Sequence, residues 1–395
     1  MLMPVADVKA RIVSGVEPLE SEAVPIFEAG GRILAAGLKA TLTQPPFPAS
    51  AMDGYAIRAA DAASVPARLK VIGRSAAGHG FDGEVGAGEA VRIFTGAPVP
   101  SGADAIVIQE NTRALGERQV DILEWAPLGQ HIRPRGYDFL EGEVLLQAGT
   151  RLGARQLMLA AAMNHATAPV RRKPVVAVLA NGDELAQPGS ALGPGQIVSS
   201  IPAGMKAAIE AWGGRAMLLA LAPDDKAALA ARVAAARGAD VLLTIGGASV
   251  GEHDLVRGAL EGEGARFDVL KVAMRPGKPV MFGFLGPQRV LSLPGNPASA
   301  LICARVFLKP LLDRLLGRAP AEDHRLVPLA ADVRANGERE HYMRATLSAA
   351  GVEPVADQDS SLMNAFAKAD CLIVRPASAP ALKKGEFATV IPLDF

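Results

Sequence analysis

An uninterrupted apolar run, Val175-Val176-Ala177-Val178-Leu179, dictates more about this fold than any other stretch of the chain. A strand with one wet face alternates apolar and polar residues; a run without polar interruption reads as a strand covered on both faces of a parallel sheet. Pro174 precedes the run and the polar loop Asn181-Gly182-Asp183-Glu184 follows it. The pattern then predicts a helix over 202–212, a strand over 215–221, a helix over 224–237 and a strand over 241–245. After a strand over 290–293, a long helix starts near Pro297, with Leu301, Ile302, Leu308, Leu312 and Leu315 on one side. This alternation predicts a doubly wound α/β domain over 173–320.

The flanks follow other rules. Residues 3–40 read as helical, with Val5, Val8, Ile12, Val13, Val24, Ile26, Leu34 and Leu38 supplying apolar faces. Pro45, Pro46 and Pro48 end that register. From 55 to 150, short alternating runs divided by glycines predict an antiparallel β-rich unit. Residues 151–165 return to a helical pattern, so the β unit reads as an insertion within a helical platform. The expected division is a platform of 1–42 plus 144–172, an inserted β-rich domain of 43–143, the α/β domain, and a C-terminal β-barrel-like domain of 321–395.

Composition excludes several classes. Lys plus Arg and Asp plus Glu are both 41, so the global basic field of a general nucleic-acid binder is absent. Only 4% of residues are aromatic, which argues against rows of base-stacking rings. Cys303 and Cys371 cannot build a disulfide framework, and the six histidines show no metal-ligand spacing, which disfavours a His/Cys zinc site. No basic segment leads into an apolar leader, and no apolar run approaches the ~18 residues that would span a membrane. A cytoplasmic protein without membrane or nucleic-acid partners is expected.

Chemistry is expected where strands of an open α/β sheet end and helices begin. Three such loops are glycine-rich: 181–184, Gly246-Gly247-Ala248-Ser249-Val250-Gly251 and Pro294-Gly295-Asn296-Pro297-Ala298-Ser299. Glycines let backbone N–H groups close around an anion, although ordinary strand-to-helix turns use glycine too. Together they point to a phosphate-bearing ligand. Asp183, Glu184 and Asp254 would repel a phosphate unless a divalent cation bridged them, so Mg²⁺ is expected there; helix capping is the alternative for Asp183 and Asp254. Asp224 reads as a helix cap. Lys271, Arg275 and Lys278 cluster around the Pro-flanked loop Arg275-Pro276-Gly277-Lys278-Pro279, as fixed oxyanion donors would; a solvated charged turn is the alternative. Asp53 and Thr95 sit on turns of the β insertion. The Walker phosphate loop is missing.

Taken in order, segments 50–56, 95–98, 182–185, 246–251, 276–279 and 294–299 resemble the molybdopterin molybdenumtransferase family, related to the gephyrin E domain. The resemblance covers essentially the whole chain. It implies an elongated homodimer of four-domain subunits that converts adenylylated molybdopterin and molybdate into molybdenum cofactor and AMP with Mg²⁺. It also implies transient contacts with molybdopterin adenylyltransferase and with molybdoenzymes. Carried over by position, it assigns catalysis to Asp53, Thr95, Asp138, Glu184 and Asp254, with Asp53, Thr95 and Asp138 reaching the cleft from the partner subunit. Metal binding falls to Asp183, Glu184 and Asp254. Molybdopterin and phosphate binding fall to Gly182, Gly246, Gly247, Ser249, Gly251, Gly295, Asn296 and Pro297. Molybdate falls to Lys271, Arg275, Lys278, Ser299, Arg344 and Ser360. Three departures stand out: Arg275 where relatives have Lys, Tyr137 where an acid is common, and Asn181 in place of a frequent Thr. Molybdopterin adenylylation and a non-catalytic gephyrin-type scaffold are the competing readings.

Overall fold

The computed structural model describes residues 2–246, 255–320, 323–393 and 395. Its centre is a six-stranded sheet in the spatial order Arg215–Leu218, Val175–Ala180, Val241–Ile245, Gln288–Leu293, Met281–Leu285, Arg266–Val269. The first four strands are parallel; Met281–Leu285 runs opposite to them, and the edge strand Arg266–Val269 pairs antiparallel with it. All six residues of Val175–Ala180 are buried, because both faces of the sheet are covered. On one face Val176, Val178, Leu243 and Leu291 pack with Met205 and Ile209 of helix Ile201–Ala211 and with Ile302, Phe307 and Leu311. On the other, Ala177, Leu179, Leu242 and Val290 meet Leu229 and Val233 of helix Lys226–Ala235 and Leu260 of helix Leu255–Gly262. This is the doubly wound arrangement that the apolar run predicts. The long helix after Pro297 runs through Pro297–Cys303 and Lys309–Leu315, joined by a π-helical stretch at Ala304–Leu308.

The N-terminal expectation needs correction. Helix Val5–Val13 is nine residues long, and residues 14–40 contain no α-helix, only the short 3₁₀ turn Ile26–Glu28. Gly15 has φ +61°, and Pro18 and Pro25 interrupt the apolar pattern, so the chain forms strand Ser21–Pro25 instead. That strand pairs antiparallel with Thr167–Arg171, and Leu38–Lys39 pairs with Val144–Leu146. The chain thus leaves one layer and returns to it at Val144–Leu146. Helix Ala154–Ala162 packs on the short 3₁₀ turn Ile26–Glu28 of the same layer.

The inserted sheet has the order Ala105–Ile108, Gly54–Ile57, Glu89–Ile93, Ala67–Ser75, Gln119–Ile122, Thr112–Ala114. It is not wholly antiparallel: Ala67–Ser75 and Glu89–Ile93 run parallel with a bulge between Val71 and Gly73. The C-terminal sheet orders Met274–Arg275, Glu340–Ser348, Cys371–Arg375, Phe387–Pro392 and Arg325–Pro328, with Gly351–Pro354 paired to Glu340–Ser348. Its first strand comes from the basic loop of the α/β region, Arg275 lying opposite His341.

Candidate active site

At the carboxyl ends of the central strands lies a cavity of ≈ 470 Å³. Asn181 and Glu184 enter it from the first loop, Gly246 from the second, and Gly295, Asn296 and Pro297 from the third. The buried Thr244 hydroxyl donates to Ser292 Oγ at 2.8 Å, tying together the strands that carry the last two loops. Leu185, Ile197, Val198, Ile201 and Met363 add apolar side chains to the lining of the same cavity. Ser361 and Met363 come from the C-terminal region and were not among the sequence candidates. Nothing in a loop-end argument about the α/β sheet could have pointed to them.

Glycine is required at two positions. Gly246 has φ +93°, and a Cβ there would lie 3.0 Å from the Asn181 carbonyl oxygen. Gly182 has φ +147°, a conformation that other residues rarely adopt, and the Glu184 carboxylate lies over its backbone. Gly247, Ser249, Gly251 and Asp254 lie outside the described residues.

Beside the cavity is an oxygen-rich corner. Asn181 Nδ2 donates to Asp224 Oδ1 at 2.9 Å, and the Asp224 N–H donates to Asp183 Oδ1 at 3.0 Å. The Asn181 Oδ1 is buried with no hydrogen-bond donor among the described residues. Asp224 is therefore not a helix cap, contrary to the expectation from sequence. The cap of Lys226–Ala235 is its neighbour Asp225, which accepts from the Ala228 N–H at 2.8 Å. An Asp-Asp pair before a helix needs only one residue for capping, and that surplus was the available signal.

The basic loop is closed by the Val272 N–H donating to the Lys278 carbonyl at 3.0 Å, which leaves Lys271, Arg275 and Lys278 exposed. A side chain at Gly277, φ +107°, would collide with Cys303 Sγ, so this loop rests directly on the helix behind it. Burial raises the Cys303 thiol well above its ordinary value and keeps it unreactive.

Arg344 is used differently from an open oxyanion ligand. It is 1% exposed, and its guanidinium donates to the carbonyls of Asp359 at 2.8 Å, Asp357 at 3.1 Å and Leu362 at 3.2 Å. It thereby shapes the loop that carries Ser360. Ser360 Oγ accepts from Asn296 Nδ2 at 2.9 Å, and its carbonyl accepts from the Ala298 N–H at 3.1 Å. Ser299, the next residue, is 3% exposed.

Asp53 and Thr95 meet in the inserted sheet: Thr95 N–H and Oγ1 both donate to Asp53 Oδ1 at 2.8 Å. Those bonds, the backbone one first, hold the Asp53 carboxyl below its ordinary range, with Arg92 adding a smaller effect. Asp138 is exposed. Asp53, Thr95, Asp138 and the three basic-loop residues do not line the cavity within this chain.

Three family profiles match in succession: the MoeA N-terminal region, domains I and II, over residues 3–164, a probable molybdopterin-binding domain over 177–314, and the MoeA C-terminal region, domain IV, over 327–393. A molybdopterin molybdenumtransferase of Haemophilus influenzae is 34% identical over 385 residues, with 95% of each chain covered. That of Bacillus subtilis is 32% identical, covering 98% of this chain and 94% of its own. The crystal structure of a molybdopterin biosynthesis MoeA protein from a Pyrococcus species superimposes with a TM-score of 0.86 at 32% identity, covering 99% of both chains. With a parallel sheet, a cleft at its carboxyl ends and relatives alike along nearly their full length, the chain belongs to the molybdopterin molybdenumtransferase family.

Proposed function

We propose that the cavity at the carboxyl ends of the central sheet is where this chain inserts molybdate into adenylylated molybdopterin, releasing AMP and the molybdenum cofactor. One observation carries the assignment of the site: apolar side chains and the polar loops of three strand ends line a single cavity. Leu185, Ile197, Val198, Ile201 and Met363 suit the flat heterocycle, and the glycine-bearing loops suit the phosphates it carries.

Among the described residues no group of three His, Cys, Asp or Glu side chains is gathered closely enough to hold a metal by itself, so a divalent cation would depend on the substrate's phosphates. With those phosphates in place, Asp183 and Asp224, linked through the Asp224 N–H, would supply carboxylate oxygens to Mg²⁺, Asn181 Oδ1 a neutral one, and Glu184 a further carboxylate from the cavity wall. Bound Mg²⁺ would neutralise charge on the phosphates as their linkage breaks. The rest is positioning by the chain itself. Glu184, lying over Gly182, lines the cavity, and Lys271, Arg275 and Lys278 supply positive charge for a tetrahedral oxyanion. Arg344 sets the Ser360 loop against Asn296 and so shapes the wall.

Asp53, Thr95 and Asp138 serve this reaction in a homodimer, where the inserted domain of one copy reaches the cleft of the other. Phe27, 96% exposed, and Met158, 73% exposed, lie on two packed elements of the platform layer and offer an apolar face to a second copy. Two free, buried cysteines suit the reducing cytoplasm.

The test is AMP release from adenylylated molybdopterin by purified protein, with and without molybdate. Molybdate-dependent release is expected, reduced by at least 100-fold in Glu184→Gln and by chelation of Mg²⁺, consistent with loss of about 3 kcal/mol of transition-state stabilisation. Release that ignores molybdate, or survives unchanged in Glu184→Gln, overturns the assignment.

A further inference from the structure

In the inserted sheet, Tyr55, Arg92 and Arg74 occupy one cross-strand row: Tyr55 lies opposite Arg92, and Arg92 opposite Arg74. Two like charges placed directly across neighbouring strands repel. Neither arginine belongs to an ion pair among the described residues. Instead, both guanidiniums lie over one ring, with Cζ of Arg74 4.5 Å and Cζ of Arg92 4.9 Å from the Phe94 centroid. Arg92 is also 5.1 Å from the Tyr55 ring.

The aromatic rings hold the faces of the two guanidiniums and leave their N–H edges to other partners. Arg92 donates to the Gly54 carbonyl at 3.1 Å and to Gln109 Oε1 at 2.7 Å. Arg74 is exposed and has no protein acceptor among the described residues. Asp53 feels the charge of Arg92, but its Oδ1 is engaged by Thr95. The outcome is a neighbouring pair of guanidiniums next to the Asp53–Thr95 turn, neither of them in an ion pair among the described residues, with the Asp53 carboxylate as a nearby charge already engaged by Thr95.

We propose that Arg74 and Arg92, shelved on Phe94, form a phosphate-binding patch on the inserted domain. Two adjacent guanidiniums match the charge and the bidentate geometry of a phosphate or pyrophosphate dianion. The Phe94 face is taken by the arginines, so the patch recognises the phosphate and not a base attached to it. The proposal rests on the functional reading above only in taking phosphates as the ligand, since the substrate of that reaction carries them.

The test is calorimetric titration of the full-length protein with inorganic pyrophosphate and, separately, with AMP and inorganic phosphate. Wild type, Arg74→Gln, Arg74→Lys, Phe94→Leu and Lys278→Gln are compared, with circular dichroism confirming the fold of each. Arg74→Gln is expected to weaken pyrophosphate at one class of sites by about ten-fold, the loss of a charged fork. Arg74→Lys should recover part of that loss, and Phe94→Leu should weaken binding without removing a charge. AMP should gain nothing over inorganic phosphate at these sites. If Arg74→Gln titrates like wild type and Lys278→Gln abolishes all binding, the patch is empty and the proposal fails, while molybdate-dependent AMP release still stands or falls by itself. Tighter binding of AMP than of phosphate, lost in Arg74→Gln, would overturn recognition of phosphate alone.

Discussion

The Asn181 carboxamide donates to Asp224 Oδ1 at 2.9 Å, joining the end of the first parallel strand to the residue just before the cap of helix Lys226–Ala235. The bond fixes one carboxylate oxygen and orients the other. A hydrogen bond to a charged group contributes about 1.5–3 kcal/mol, equivalent to roughly 10- to 100-fold in a rate. Asn181→Ala is therefore expected to lower kcat on that scale with a small change in melting temperature. Asn181→Thr, which keeps a short hydroxyl donor, should retain more activity. Steady-state AMP release and thermal unfolding measure the two; equal kcat in wild type and Asn181→Ala would remove Asp224 orientation from the mechanism.

Arg344 is a second place where one side chain sets a loop. Replacing it by Met leaves three carbonyl oxygens without their donor inside the protein, at a cost on the order of 3 kcal/mol. Hydrogen exchange in 357–362 should accelerate in Arg344→Met well before exchange in the central strands. Unchanged protection of that loop would show that Arg344 does not hold it.

Gly277 gives a steric prediction. Ala at this position has both φ +107° and Cys303 Sγ against it. Gly277→Ala should destabilise the protein by about 1–3 kcal/mol and weaken oxyanion binding, since the basic loop must lift. Adding Cys303→Ala should relieve the collision and leave the backbone strain, restoring part of the melting temperature. A double variant no more stable than Gly277→Ala would show that the collision is not the cause.

His341 predicts a pH dependence. Burial first, then the charges of Arg275, Arg339 and Arg344, push its pKa from 6.5 down to about 4. The unfolded chain takes up that proton at higher pH than the native protein does. The stabilisation from neutral His341 is thus complete above pH 6.5, is lost as pH falls toward 4, and changes little below that, a total of roughly 3 kcal/mol. Denaturant unfolding at several pH values between 7 and 4 should show a shallower acid slope in His341→Gln than in wild type. Parallel slopes would exclude this histidine as the source.

The central sheet was legible because burial on both faces leaves an unmistakable mark: Val175–Ala180 has no polar residue to misread. Residues 14–40 were not, because a few apolar residues spaced by Gly and Pro fit a helical period as readily as an extended one. The three cleft loops could be placed from strand ends alone, and they do converge on one cavity. The finer wiring could not be. Choosing Asp225 over Asp224 as cap depends on backbone geometry, since both have the same side chain. The pairing of Arg275 with His341 and the entry of Ser361 and Met363 into the cavity join distant stretches of chain, which local periodicity does not encode.

The bond from Asn296 to Ser360 changes what the C-terminal sheet is for. A chain ending near residue 320 would keep every strand of its central sheet, yet its third cleft loop would lose the support of Ser360 and the cavity its Ser361 and Met363 wall. The last seventy or so residues are thus part of the container, and any hinge between the two units would act as its mouth.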